Sequence, residues 1–350
     1  MQIKPFQGMF YNKTVVSIQD VVSPPWDVIS ESSDYSKYNI VHIDLNKDKK
    51  LFDQLLADDI LITDDKPAIY VYRQKYIWDD IAKQRTGFVA LSRLENYGKN
   101  TIMPHEKIIS SHIQDRVDSL RTFRTNFSPV FALHEGAIAI DVDGAPMFEV
   151  EHDGVTNKIW PIYDEDTIKR VQDEISSRQL YVADGHHRYG SALRYKDENL
   201  EAKYILMYFA AMDEKLAILP SHRVLDVRID IDRVKDVFEV SDPVNEYRAS
   251  SAITMYREGA YYALAPKDTS SLSDIIDLHT VLSGLESNLS YTKDEQEAIE
   301  KADGMKGTAF IVNAVTPYEI VRVCNAGNIF PQKATYFYPK ILSGLIMYKF

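Results

Sequence analysis

Cysteine is almost absent from this chain of 350 residues, which contains only Cys324. A single cysteine excludes a disulfide within the chain and argues against a metal site built from thiolates. The alternating run Ile320–Cys324 is typical of a strand, with the thiol buried as a small hydrophobic group. Apolar runs are also short. None approaches the roughly 20 residues that span a membrane, and Met1–Phe6 does not resemble a signal peptide. We therefore expect a cytoplasmic protein with no membrane partner.

An excess of basic residues is missing as well. The chain has 40 Lys and Arg against 52 Asp and Glu, a formal net charge of -12. Because broad nucleic-acid binding depends on neutralising phosphates, this balance makes a nucleic-acid partner unlikely, although a local basic groove is compatible with it. Hydrophobic residues make up 45% and charged residues 26% of the chain. This composition allows a substantial core in one large or two ordinary domains.

Several familiar catalytic motifs are missing. Gly98-Lys99-Asn100 lacks the upstream glycine and the Ser or Thr of a Walker loop. The chain has no G-x-G-x-x-G, no G-x-S-x-G and no H-E-x-x-H sequence. These absences argue against a P-loop nucleotide enzyme, a dinucleotide-binding domain, an α/β-hydrolase and a zinc peptidase.

The most informative stretch that is present is Leu180-Tyr-Val-Ala-Asp-Gly-His-His-Arg-Tyr189. An apolar run, an Asp-Gly pair and a helix-favouring segment predict a strand, a tight turn and a helix. Asp184 is the expected N-cap, and Gly185 allows a sharp turn or a close approach to a ligand. The N–H groups of the first helical turn, with His186, His187 and Arg188, form a candidate phosphate site. A helix start in solvent, with Arg188 paired to a carboxylate, explains the same pattern.

Around this turn we expect a mixed sheet of the α/β to α+β class. Residues 164–177 predict a helix that leads into the strand at Leu180, and the apolar run Tyr204–Ala211 predicts an interior strand. Ala137–Ile140 has the alternation of another strand. A core over residues 1–225 and a C-terminal α+β portion over 226–350, packed on that core or continuous with it, is the division we expect.

Two further segments carry chemical groups. Ser23-Pro-Pro25 forces an extended or turning backbone just before Asp27, which either caps a helix or lies at a site. His105-Glu-Lys107 follows a proline in a loop-like position, where functional residues are common. A helix is expected over Ile113–Phe123, and taken alone its charged residues are best explained by a solvated surface.

Four motifs resemble the bacterial and archaeal family called domain of unknown function 1015. They occur in the family's order and span nearly the whole chain. In this sequence they are Val22-Ser-Pro-Pro-Trp-Asp-Val28, Met103-Pro-His-Glu-Lys107 with Asn126-Phe-Ser-Pro129, Val182-Ala-Asp-Gly-His-His-Arg-Tyr189, and Pro331-Gln-Lys-Ala-Thr-Tyr-Phe-Tyr-Pro-Lys340.

The Asp-Gly-His-His-Arg element also resembles the phosphate-binding turn of the ParB and sulfiredoxin superfamily, which includes nucleotide switches, sulfiredoxins and free-serine kinases. A sulfiredoxin reaction needs a cysteine beside the turn, and none is there. The resemblance therefore implies a ParB/sulfiredoxin-like core, with extra strands from both termini, that binds a nucleotide. It also implies a kinase that uses ATP or ADP with Mg²⁺ and a small hydroxylated acceptor such as L-serine.

Phosphoryl transfer needs cationic and N–H groups around the phosphate and a carboxylate that takes the acceptor proton. Gly185, His186, His187 and Arg188 are assigned to the phosphate, and Asp184 to the metal or to orienting a substrate. We expect Glu106 to be the base, with Asp27 as second choice. The remaining residues assigned to the pocket are His105, Arg116, Arg124, His222 and Lys333.

Two other functions fit the sequence. A ParB-like switch would bind the nucleotide and change conformation without turnover, and nucleotide-dependent oligomerisation, for instance as a homodimer, would distinguish it. A nuclease or nucleic-acid binder is disfavoured by the acidic balance and by the lack of a basic tract.

Overall fold

The structure is a computed structural model that describes residues 1–25, 36–99, 101–107, 110–213, 215–246 and 253–350. In chain order, its described strands are β1 Ile3–Lys4, β2 Met9–Tyr11, β3 Leu61–Thr63, β4 Ile69–Trp78, β5 Ile81–Arg93, β6 Ile102–Pro104, β7 Thr125–Asn126, β8 Val130–His134, β9 Phe148–His152, β10 Val155–Ile162, β11 Leu180–Asp184, β12 Tyr204–Ala211, β13 Ala217–Leu219, β14 His222–Leu225, β15 Phe238–Val240, β16 Ile253–Arg257, β17 Ala260–Pro266, β18 Leu289–Thr292, β19 Thr308–Ile311, β20 Tyr336–Tyr338 and β21 Tyr348–Lys349.

Its described helices are α1 Ile18–Val21, α2 Ile40–Leu45, α3 Lys49–Ala57, α4 Ser110–Phe123, α5 Glu165–Ser176, α6 His186–Glu198, α7 Ile231–Lys235, α8 Asp274–Leu282, α9 Glu295–Met305 and α10 Pro317–Asn325. Within the described residues, no helix is both long enough and apolar enough to cross a membrane.

The chain separates into two compact units. The first consists of Met1–Pro104, Ile108–Ala217 and Pro339–Phe350, and the second of His105–Lys107 and Ile218–Tyr338. The predicted domain division after residue 225 stays a prediction.

The first unit is built on a mixed sheet. Its described strands run in the order β6-β11-β8-β12-β5-β4-β10-β9, with β1 paired to β5. The pairs β6–β11 and β8–β12 are parallel and the other pairs are antiparallel. The expectation of a mixed α/β sheet is therefore confirmed.

The centre of this sheet follows from its apolar runs. β12 lies between β8 and β5, and its residues 205–210 are buried, as expected for a strand covered on both faces. Helix α5 buries Ile168, Val171 and Ile175, which are spaced along one face, and Asp164 caps it by accepting a hydrogen bond from the Thr167 N–H. A two-residue hairpin loop, Asp79-Asp80, joins β4 and β5.

The predicted strand at Ala137–Ile140 is wrong, because these residues are irregular. Arginine side chains bind their backbone in place of a neighbouring strand: Arg178 Nη2 donates to the Ala137 carbonyl at 3.3 Å, and Arg170 Nη2 donates to the Ala139 carbonyl at 2.9 Å.

The second unit contains an antiparallel sheet. Its described strands follow the order β15-β17-β16-β19-β14-β18. The predicted strand at Ile320–Cys324 is wrong, since these residues belong to α10, whose capping box joins Thr316 and Glu319. Ile320, Val323 and Cys324 also have helical spacing, and all three are buried, so the thiol is a small buried group as expected.

Candidate active site

The predicted strand, turn and helix at Leu180–Tyr189 are present as β11, Gly185 and α6. Gly185 has a left-handed backbone with φ 90° and is the N-cap of α6, so the assignment of Asp184 as N-cap is wrong. A Cβ at position 185 would lie 2.8 Å from Arg188 Nε. The left-handed backbone favours glycine here, and a side chain at this position would also have to displace the Arg188 guanidinium.

The Asp184 carboxylate is held by two cations. Arg188 Nη2 donates to Oδ2, and Lys340 Nζ donates to Oδ1 at 2.5 Å. Burial acts to raise the pKa of Asp184, but the charges of Lys340 and Arg188 outweigh it and hold this pKa well below its usual range. Asp184 is thus ionised, and the three side chains together carry a net charge of about +1.

Arg188 is fixed by further bonds in the same unit. Its Nη1 donates to Ser128 Oγ at 2.8 Å and to the Pro129 carbonyl at 2.5 Å. These residues end the Asn126-Phe-Ser-Pro129 motif, so two of the sequence motifs meet at this guanidinium. Arg188 does pair with a carboxylate, as the alternative explanation of the pattern expected. The pair does not lie in solvent, however, since both side chains are only 16% exposed.

Lys340 reaches Asp184 because its backbone is anchored to the sheet. Gln74 Nε2 donates to the Lys340 carbonyl at 2.9 Å, and Arg85 Nη2 donates to both Gln74 Oε1 and the Pro339 carbonyl. Arg85 is buried, and its guanidinium lies 4.7 Å from the centre of the Phe131 ring. The contact between Lys340 and Asp184 joins residues 156 positions apart.

The two histidines differ in burial: His186 is 7% exposed, whereas His187 is half-buried. The charge of His186 also contributes to lowering the pKa of Asp184. Both histidines lie in the first turn of α6, where N–H groups have no acceptor within the helix. Their assignment to a phosphate stays a prediction.

A pocket with about 540 Å³ of empty space, part of it open to solvent, lies beside Arg188. Its charged lining residues are Asp44, Arg116 and Arg188. The uncharged polar lining consists of Ser119, Thr125, Asn126, Ser128, Ser191 and Ser343, and the apolar lining of Ile40, Val41, Leu120, Phe127 and Ile205. The pocket therefore brings the predicted Arg116 together with Arg188.

Arg124 is not part of this pocket lining. Its guanidinium is 47% exposed and donates to Glu201 at 2.6 Å. Arg116 instead binds Asp44, with 2.6 Å between Nη1 and Oδ2. Sequence reasoning did not single out Asp44, because no local motif marks it and its partner Arg116 is 72 positions away.

Glu106 belongs to the second unit and is held by uncharged donors. Its Oε2 accepts from the Lys333 N–H at 3.1 Å, and its Oε1 accepts from the N–H and the hydroxyl of Thr335, both at 2.9 Å. The neighbouring His105 is fully buried, and its Nε2 lies 2.8 Å from Thr335 Oγ1. The predicted residues Glu106, His105 and Lys333 are therefore brought together, with Glu106 fixing the backbone of a loop.

His222 and Arg223 lie on β14 in the same unit, and both are buried. His222 Nδ1 accepts from the Val312 N–H at 3.2 Å. Burial and the charge of Arg223 lower the pKa of His222 to about 4, so this imidazole is neutral at pH 7. Burial lowers the pKa of Arg223 to about 10.

Asp27 lies outside the described residues. Among those that the structure describes, no three His, Cys, Asp or Glu side chains are grouped to hold a metal ion. Asp184 would therefore be the one carboxylate ligand of a Mg²⁺ ion at this turn. Such a site fits Mg²⁺ if water and nucleotide phosphates supply the other ligands.

Three solved structures illustrate what the chain is similar to. A mutant of free serine kinase in complex with ADP is 16% identical, with 71% of this chain and 87% of that chain covered and a TM-score of 0.43. A conserved hypothetical protein from Pyrococcus furiosus is 16% identical, with 72% of this chain and 92% of that chain covered and a TM-score of 0.42. SbnI with a C-terminal truncation, from Staphylococcus aureus, is 14% identical, with 73% of this chain and 85% of that chain covered and a TM-score of 0.44.

No curated protein matches the chain. The family described as "Protein of unknown function (DUF1015)" matches residues 3–288, which is more than half of the chain. This match confirms the resemblance carried by the sequence motifs, and the chain belongs to the DUF1015 family.

Proposed function

We propose that the chain is a small-molecule kinase that transfers a phosphoryl group from ATP or ADP to a small hydroxylated acceptor such as free L-serine. The observation that carries this proposal is the surplus of positive charge around Asp184. Two side-chain cations surround one carboxylate at the start of α6, a helix of 13 residues. Side-chain cations and the N–H groups of a helix start are the groups that bind phosphate.

Arg188 is the residue that would hold the phosphate most directly. Its guanidinium has five N–H donors, and its bonds to Asp184, Ser128 and Pro129 use three of them. The remaining donors suit phosphate oxygens. Lys340 can add a second charge without leaving Asp184, because an ammonium group has three donors.

In the proposed reaction, the acceptor oxygen bonds to the terminal phosphorus while the bond from that phosphorus to its bridging oxygen breaks. ATP then leaves as ADP, or ADP as AMP, and the hydroxyl proton passes to a carboxylate base. Mg²⁺ bound to the nucleotide would neutralise phosphate charge, with Asp184 as its single protein carboxylate. Glu106 remains the first proposed base and Asp27 the second.

A nucleotide switch is the second candidate function, and the Lys340–Asp184 contact favours it. This contact connects the proposed phosphate turn to the segment Pro339–Phe350. A phosphate that competes with Asp184 for Lys340 would alter the hold on this segment. The nucleotide would then change conformation or oligomeric state without forming a product.

A product assay separates these functions. The protein is incubated with Mg²⁺, ATP or ADP, and free amino acids led by L-serine, and phosphorus NMR follows the formation of a phosphomonoester. A kinase gives a new signal that is lost in Arg188→Ala. In the matched variant Arg121→Gln the signal is retained, because Arg121 lies on α4 and pairs with exposed Glu198.

Other outcomes decide against the kinase. Thermal stabilisation by nucleotide without a phosphomonoester would contradict the kinase and support the switch, and native mass spectrometry would then test for a nucleotide-dependent homodimer. If the nucleotide neither stabilises the protein nor yields a phosphomonoester, both proposed functions are contradicted.

A further inference from the structure

We propose that the pocket lined by Asp44, Arg116 and Arg188 is the acceptor subsite. It selects a small molecule that offers a hydroxyl donor to Asp44. This inference rests on the proposed function, because that function supplies the phosphoryl donor.

Asp44 is the residue that gives the pocket its chemistry. It lies on α2, is 5% exposed and lines the pocket. Arg116 Nη1 donates to Oδ2 at 2.6 Å, and the Ser119 hydroxyl donates to Oδ1. These partners offset the cost of burying the carboxylate. Each of its oxygens has a further lone pair, so Asp44 can also accept a hydrogen bond from a molecule in the pocket.

Arg188 connects this pocket to the proposed phosphate site. Its side chain lines the pocket and also binds Asp184. A molecule that occupies the pocket therefore shares this cavity with the guanidinium that would hold the terminal phosphate. Phosphoryl transfer requires such adjacency between acceptor and donor.

The lining favours donors over a second anion. The charges around Asp44 balance, because Arg116 pairs with it and Lys47 lies 3.6 Å from Asp44 and 3.4 Å from Asp115. The surplus positive charge lies instead at Asp184, which Arg188 shares with Lys340. Much of the remaining polar lining consists of hydroxyl groups, and one wall is apolar, with Ile40, Val41 and Leu120. Small polyols, amino alcohols and hydroxy amino acids have the required combination of donors and short carbon chains.

The test uses the full chain with labelled methyl groups and no nucleotide. The probes are L-serine and ethanolamine, each with a partner that lacks only the hydroxyl, L-alanine and ethylamine. We expect at least one hydroxylated probe to shift the methyl signals of Ile40, Val41 and Leu120 saturably. Its partner should bind about 10-fold more weakly, and Asp44→Asn should weaken binding about 10- to 100-fold. Arg121→Gln should leave binding unchanged.

The methyl map keeps the test decisive even if Asp44→Asn fails to fold. Absence of any saturable shift with all probes would overturn the subsite, as would shifts confined to α10, at Ile320 and Val323. A phosphomonoester product without pocket shifts would also contradict the subsite while the kinase stands. Pocket binding with no product in the phosphorus assay would contradict the kinase but support a hydroxyl-selective site at Asp44.

Discussion

Two carboxylates of this protein, Asp184 in the first unit and Glu106 in the second, are held by different kinds of partner. Asp184 lies between the cations Arg188 and Lys340. Glu106 accepts instead from two backbone N–H groups and one hydroxyl, those of Lys333 and Thr335. The first arrangement has a surplus of positive charge, whereas the second includes backbone N–H groups and a hydroxyl, with His105 Nε2 3.5 Å from Glu106 Oε1.

This difference separates a candidate binding centre from a loop anchor. An incoming anion can share Arg188 and Lys340 with Asp184, because cations with several N–H groups serve more than one acceptor. The bonds of Glu106 fix the backbone of a loop in which Lys333 has a left-handed conformation, with φ 57°. A proton-accepting role for Glu106 requires the carboxylate to act while it also holds this loop.

The largest effect is expected from Asp184→Ala, which removes the carboxylate between the two cations. The free energy of unfolding should fall by about 3–5 kcal/mol, because the variant leaves shielded charges without their partner. Phosphate ions should stabilise the variant more than the wild type, since an anion can replace the lost charge. Urea denaturation with and without phosphate measures both effects.

A matched variant and the pH dependence sharpen this test. Asp118→Ala removes one carboxylate from the exposed pair with Arg121 and should cost about 0–1 kcal/mol. Because the pKa of folded Asp184 lies below its unfolded value of about 4, its stabilisation is complete above that pH and is lost as the pH falls further. A loss below 1 kcal/mol in Asp184→Ala would contradict the ionic account of this cluster.

A buried histidine in each unit extends the comparison to weak acid. Burial, with the charge of a neighbouring arginine, lowers the pKa of His134 in the first unit and of His222 in the second to about 4. The unfolded chain binds these protons near pH 6.5, so stability should fall as the pH drops from 6.5 to 4, by about 3 kcal/mol per histidine. Urea denaturation across this range tests each unit, because His134→Gln and His222→Gln should each reduce the dependence of the free energy of unfolding on pH. A pH dependence equal to that of the wild type would contradict the role of that histidine.

Sequence reasoning identified local structure best where one pattern dominated. The apolar run of β12 and the one-sided apolar spacing of α5 predicted both elements. The pattern was ambiguous at Ile320–Cys324, because the apolar residues fit helical and strand periods at once. The error at Ala137–Ile140 has another cause, since arginine side chains from elsewhere in the chain bind this backbone.

Only the local part of the candidate site could be predicted from the sequence. The turn at Asp184 and Gly185 is a local signal, so the sequence located it. One of its two cations, Arg188, belongs to the same motif, but the other, Lys340, is 156 positions from Asp184. In the neighbouring pocket, Arg116 is 72 positions from Asp44. Propensity and spacing carry no information about such pairs, which depend on how the sheet brings the segments together.

Arg188→Ala tests the binding side of the comparison. We expect nucleotide affinity to fall by about 1.5–3 kcal/mol, because charge-assisted bonds to a phosphate are lost. Isothermal titration calorimetry with ATP and ADP measures this change. Arg121→Ala, on an exposed helix face, should bind as the wild type does. Equal affinities in all three proteins would remove Arg188 from the nucleotide site.

The smallest effect on stability is expected from Glu106→Gln. One oxygen becomes an NH₂ group that faces a backbone N–H of Lys333 or Thr335, which should lower the free energy of unfolding by about 1–2 kcal/mol. If Glu106 is also the base, product formation should disappear while nucleotide affinity remains. Thr335→Val is the matched control, because it removes one donor to Glu106 but keeps the carboxylate. Product lost in Glu106→Gln and retained in Thr335→Val would assign the proton to Glu106. Product retained in both variants would restrict Glu106 to holding its loop and leave Asp27 as the remaining proposed base.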